Sequence, residues 1–140
     1  MFAAHHCVFS AVLDPLIGGE VRVVTNLREI DEGVLAALER HFSDEHRLAD
    51  RGAPFRATGV AVAGDPPSRR LVLAATSGNT WFIHYQHGGI ALHSHLVALT
   101  YSGSFWRVVY AAAALYPYDT LPKLQQAIRK QQFQIKAYEL

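Results

Sequence analysis

The sequence has one cysteine, Cys7, in 140 residues. No intrachain disulfide can form, which excludes a disulfide-held scaffold. Acidic residues are missing where a hydrolase would need them. From Pro66 to Tyr118 there is no Asp or Glu, which argues against a paired-carboxylate site in that region. Long apolar runs are also missing. The longest stretch without Lys, Arg, Asp or Glu, Leu71 to Trp106, is broken by Asn79, Gln86, four histidines and several Gly and Ser residues. A spanning helix needs about 20 mostly apolar residues, so no membrane segment is expected. Neither charge dominates: 13 basic and 12 acidic residues leave a net +1, and nucleic acid is not an expected partner. The opening Met1-Phe2-Ala3-Ala4 lacks the basic start of a secretory signal. Together with a lone free thiol, this points to a cytoplasmic protein. Gly-x-Ser-x-Gly, phosphate-loop and dinucleotide-loop patterns do not occur.

Apolar residues make up 50% of the chain and aromatics 11%. That is enough for a core and too much for a disordered chain. The length suits one domain over residues 1–140. His5 to Leu13 reads as a strand, closed by turns at Asp14-Pro15 and Gly18-Gly19, and Glu20 to Thr25 as a second. Asn26-Leu27-Arg28-Glu29 has the form of a capping box. The apolar stripe that follows, from Leu27 through Ile30, Val34, Leu35 and Leu38 to Phe42, predicts a helix over 27–42. Ser43-Asp44-Glu45 offers a fresh cap.

From Phe55 the apolar period becomes two. Turn signals divide the region into strands at Arg56–Ala63, Arg69–Thr76, Thr80–Gln86, Ile90–Thr100 and Phe105–Ala112. Links this short join antiparallel neighbours. Thr120 and Pro122 open a helix to about Gln131, and Gln132 to Ala137 alternates as a last strand. The expected fold is α+β: a mostly antiparallel sheet, a five-stranded meander plus flanking strands, with one face packed by two helices.

Eight histidines are the one compositional oddity. If Gly88-Gly89 is a two-residue hairpin loop, His87 pairs with Ile90, Gln86 with Ala91, Tyr85 with Leu92 and His84 with His93. His84, His93 and His95 then share a face, with directly paired Cβ atoms roughly 4.5–5.5 Å apart. Such a face could act through proton transfer or, with three imidazoles, hold zinc. His93-Ser94-His95 resembles the start of the cupin metal signature, but Leu96 to Tyr101 contains no following acid. The bland alternative is a polar face whose histidines bond to neighbours or water. It is preferred, with no metal and no other cofactor expected. At His5-His6-Cys7, His6 and Cys7 would point to opposite faces of a strand, and a buried edge thiol beside solvated histidines is expected there in place of a thiol–imidazole pair. His41 reads as a core-rim residue and His46 as a solvated one.

Charge is segregated along the chain. Glu29 to Asp50 holds seven acids and two bases, a local −5, whereas Thr120 to Leu140 holds four bases and one acid. The leading functional expectation is a non-catalytic protein-binding module. It would be an inhibitor, analogous in type to bacterial immunity proteins that neutralise a toxic nuclease, with Glu39, Asp44 and Glu45 meeting a basic protein partner by electrostatic steering. The alternative is a small enzyme or ligand-binding protein using His84, His93 and His95.

Overall fold

The computed structural model of the protein describes residues 11–42, 47–59, 62–89 and 91–136. These residues form three helices and one open, six-stranded antiparallel sheet, an α+β fold. The helices are α1 (11–18), α2 (Glu32–His41) and α3 (Leu121–Arg129). The strands are β1 (Arg22–Val24), β2 (Arg69–Ser77), β3 (Thr80–His87), β4 (His93–Ser102), β5 (Phe105–Ala114) and β6 (Gln134–Ile135). They lie side by side in chain order. No helix among the described residues is long and apolar enough to cross a membrane.

Four of the five expected meander strands are present as β2 to β5. The fifth, Arg56–Ala63, is not a strand over its described residues. Its place beside β2 is already taken: β1 pairs with Val24 opposite Ala74, and Ala49 bridges Arg70 nearer the start of β2. The segment instead satisfies itself locally. Arg56 donates to the Gly59 carbonyl at 2.8 Å, and the Val62 amide donates to Asp65 at 2.8 Å. Gly59, at φ +85, turns the chain out of an extended path.

The N-terminal expectation also fails where it can be checked. Residues 11–13 are helical, in α1, rather than the end of a strand, and 5–10 lie outside the described residues. Leu13 and Leu16, three apart, fit a helical stripe as well as a short strand, and both are buried. Asp14-Pro15 lies within this helix instead of forming a turn. Tertiary contacts finish it. Gln125 of α3 donates to the Leu16 carbonyl at 2.9 Å, and Arg129 donates to the Ile17 carbonyl at 2.8 Å. These side chains supply donors to carbonyls that a helix end leaves unpaired.

The expected 27–42 helix is split. Asn26 accepts from the Glu29 amide at 3.1 Å, as a cap should, but the turn it caps is a short 3-10 turn, Leu27–Glu29. Ile30 returns to extended backbone, and Asp31 caps α2 through the Gly33 amide at 2.8 Å. At the other end of the chain, Thr120 caps α3 and Pro122 sits in its first turn.

The helices do not share one face of the sheet, as expected, but cover both. Val34, Leu38 and Phe42 of α2 pack with Leu71, Ile83, Tyr85, Val97 and Leu99. On the opposite face Leu13, Leu16 and Leu124 pack with Leu73, Phe82, Leu96 and Ala112. A bulge at Val72 lets Leu71 and Leu73, two apart, serve opposite cores.

The loop between β3 and β4 is longer than two residues. Observed pairs are His87 with His93, Gln86 with Ser94, Tyr85 with His95 and His84 with Leu96, so residues 88–92 form the connection. Gly88 is used for close approach rather than as a hairpin turn. A Cβ there would meet the Arg56 carbonyl oxygen and lie 2.6 Å from the Ala57 backbone. The Gly88 amide donates to Ser68 O at 2.8 Å, and the Gly89 amide donates to Ala57 O at 3.1 Å. Gly88→Ala should therefore cost about 1–3 kcal/mol, as overpacking does. A lower urea midpoint with unchanged m-value would report it, and a midpoint equal to the parent's would show that the 56–57 segment gives way freely.

Candidate functional site

The corrected register decides which histidines meet. A shift of three residues is odd, so it exchanges the faces of β4 relative to β3. His84 and His93 are not cross-strand neighbours: His84 faces the α1–α3 core, while His93 pairs with His87 on the α2 face. The group that forms is His87, His93 and His95, with one ring nitrogen from each lying within 4.8 Å of the others. Ring centroids are 5.4 Å apart for His87–His93, 5.8 Å for His87–His95 and 4.6 Å for His93–His95. The end of β3 and the start of β4 hold all three, and the 88–92 connection returns the chain so that His93 faces His87.

His95 is 6% exposed, and neither of its ring nitrogens has a hydrogen-bond partner among the described residues. Its ring stacks on Tyr85, centroids 5.0 Å apart and planes 12° from parallel. Burial pushes its pKa down to about 3, and the basic neighbours His93, His87, Arg69 and His41 push in the same direction. The ring is neutral at neutral pH and carries an available lone pair. His93 is half-buried, and its Nδ1 lies 3.0 Å from the Ala91 carbonyl. Facing a carbonyl, Nδ1 is the donor, so in the neutral ring Nε2 is the nitrogen that carries the lone pair.

The wall of the site comes from β2 and α2. Arg69 is directly opposite His87 in the ladder and is 5% exposed. Its guanidinium lies 4.1 Å over the Phe42 ring, and Phe42 meets Tyr85 edge-on at 5.2 Å. A continuous run of ring contacts, one of them edge-on, thus leads from Arg69 through Phe42 and Tyr85 to His95. His41, expected at the core rim, is half-buried at the end of α2 and is close enough for its charge to act on His95.

His84 has a different part. It is fully buried, and both nitrogens are satisfied: Nδ1–H donates to the His95 carbonyl at 2.7 Å, and Nε2 accepts from the Tyr118 amide at 2.9 Å. Its ring stacks on Tyr118 and meets Phe133 edge-on. It is a core histidine that holds the backbone of β4 at His95 from the far side of the sheet. Burial lowers its pKa to about 4, against a smaller raising effect of the bond to His95.

Of the acidic residues expected to meet a partner, Glu39 is half-buried on α2, and Asp44 and Glu45 lie outside the described residues. His5, His6, Cys7 and His46 also lie outside them. His87 is the member of the histidine group that sequence reasoning missed. The spacing His87-x5-His93-x-His95 carries it once a five-residue connection is allowed. No family model, no curated protein and no solved structure matches this chain.

Two buried neutral histidines have a consequence for acid stability. Both have folded pKa values below the ordinary 6.5. Below pH 6.5 the unfolded chain takes up protons that the folded protein refuses, so acid favours unfolding. Stability of the metal-free protein should be full above about pH 6.5 and decline as pH falls through about 4 toward about 3. Urea unfolding across this range checks it. The double variant His84→Gln, His95→Gln should show a flatter profile, and an equally steep one would assign the acid sensitivity to other groups.

Proposed function

We propose that this protein presents a divalent transition-metal ion of the zinc class, held by His87, His93 and His95, to a small ligand. The observation that carries the reading is His95, a buried imidazole with both nitrogens unpartnered among the described residues and two further imidazoles beside it. A buried polar group without a partner costs about 1–3 kcal/mol, and a metal ion removes that cost. Imidazole nitrogen is a preferred zinc donor at 2.0–2.1 Å. Tetrahedral bonds of that length separate donor atoms by about 3.3 Å, so binding draws the three nitrogens together from their present spacing of up to 4.8 Å. The Ala91 carbonyl already orients His93, in the way that outer carbonyls orient metal-bound histidines.

Three protein donors leave a fourth position, the arrangement of zinc sites that bind water or substrate. An ion held by these three residues would supply Lewis acidity, acting on a water or on a carbonyl or phosphoryl oxygen at the fourth position. This favours the small enzyme or ligand-binding class over the inhibitor class, with His87 in the group and His84 outside it.

Purified metal-free protein should take up one equivalent of Zn2+ or Co2+ in a calorimetric titration. His95→Ala should weaken that binding by more than the roughly 10–100-fold loss typical of removing an outer-shell partner. His84→Gln should retain one-equivalent binding. Absence of binding in the parent protein, or equal binding by His95→Ala, would remove the metal reading.

The inhibitor reading has separate support in the exposed acids Glu29, Asp31 and Glu32 around the start of α2. If a basic protein docks on the acidic stretch that these residues share in sequence with Glu39, Asp44 and Glu45, replacing the latter three by Lys should slow association most at low salt. An unchanged association rate at low salt rejects that surface.

A further inference from the structure

We propose that His84 is a positioning residue of the histidine centre: it touches no metal, but through the main chain of His95 it holds that imidazole where the ion meets it. This rests on the metal reading above and adds to it a residue on the opposite face of the sheet.

The first argument is what His95 lacks. A metal-bound histidine is ordinarily aimed by an outer partner that takes its other ring N–H. His93 has one in the Ala91 carbonyl. His95 has no hydrogen-bond partner on either ring nitrogen among the described residues. The Tyr85 ring, stacked at 5.0 Å, sets its plane, and the main chain sets the direction in which it leaves the strand. His84 is bonded to that main chain. Its Nδ1–H donates to the His95 carbonyl at 2.7 Å, the short end of the N–H···O range.

The second argument is the anchor. A clamp holds only if its other end is fixed. Nε2 of His84 accepts from the Tyr118 amide at 2.9 Å. An amide N–H can only donate, so one neutral tautomer, with the proton on Nδ1, makes both bonds. The ring is fully buried and lies between Leu73 and Leu96 in the ladders. Tyr118 stacks on it at 5.9 Å, and Phe133 meets it edge-on at 5.8 Å. Tyr118 is held in turn by its hydroxyl, which donates to Gln132 at 2.8 Å, just beyond α3. A line of bonds therefore runs through the sheet from His95 to the end of α3, and the His84 ring cannot turn without breaking it.

Two variants separate the ends of the clamp. His84→Asn places a side-chain amide where Nδ1 stood, so it can keep the bond to His95 while losing Tyr118. His84→Gln reaches the Nε2 position, so it can keep Tyr118 while losing His95. In Co2+ titrations of the folded protein, His84→Gln should bind one equivalent roughly 10–100-fold more weakly than the parent. Its visible cobalt bands, which report the geometry of the donors, should also shift. His84→Asn should lie nearer the parent in both respects, and the reverse order would overturn the assignment. Each variant leaves a buried backbone group unpaired, so each should lower the urea midpoint. A merely structural histidine would move that midpoint and leave the cobalt affinity and spectrum unchanged, which also overturns it. If neither variant folds, the parent decides. Zn2+ should move the 1H–15N cross-peak of the Tyr118 amide, although that amide is on the far face, and a cross-peak that stays in place overturns the assignment. A parent that takes up no metal ends the metal reading and this assignment with it. Variants that match a metal-binding parent end this assignment alone.

Discussion

The site depends on one constraint, the register of β3 against β4. His87 opposite His93 and Tyr85 opposite His95 place three imidazoles and a supporting ring on the α2 face. The same register sends His84 through the sheet, where it bonds to the His95 carbonyl from behind. An odd slip would exchange these faces and scatter the group. What pins the register is a backbone contact. The 56–58 segment passes so close to Gly88 that only hydrogen fits between them, and Thr58 bridges Gly89. A glycine pair that looks like a turn is thus a crossing point, and the connection must extend to Leu92 before β4 can begin.

How legible this was in the sequence follows from the same facts. Strands β2 to β5, their antiparallel order and the helices around 32–41 and 121–129 were readable, because the apolar period changes sharply and turn residues separate the strands. The β3–β4 register was not readable, because helices cover both faces of the sheet. With Trp81, Ile83 and Tyr85 on one face and Phe82 and Leu96 on the other all buried, the alternation of apolar residues cannot distinguish one register from another. Register is well specified by pattern only where one face is wet.

Two further features were hidden for related reasons. The loss of Arg56–Ala63 as a strand reflects competition for one sheet edge, which β1 and Ala49 win from distant parts of the chain. Propensity alone does not record such competition. The eight histidines stand out in the composition, yet a two-residue turn at Gly88-Gly89 groups His84 with His93 and His95, where the observed register groups His87. Local sequence shows that imidazoles are clustered. What local sequence does not show is that His84 is bonded to Tyr118, 34 residues away, while His95 has no hydrogen-bond partner among the described residues.

The capping of α1 by α3 bears on how the chain acquires its structure. The carbonyls at the end of α1 are bonded by side chains 109 and 112 residues later. During synthesis the first helix therefore leaves the ribosome long before its own closing donors exist, and its last turn is completed only when the sheet between them has formed and α3 docks. Long-range closure of this kind raises contact order and slows folding. It also makes the docking of α3 a late checkpoint: until then Leu13 and Leu16 lack one wall of their core, and a nascent chain that stalls there exposes apolar surface to its neighbours.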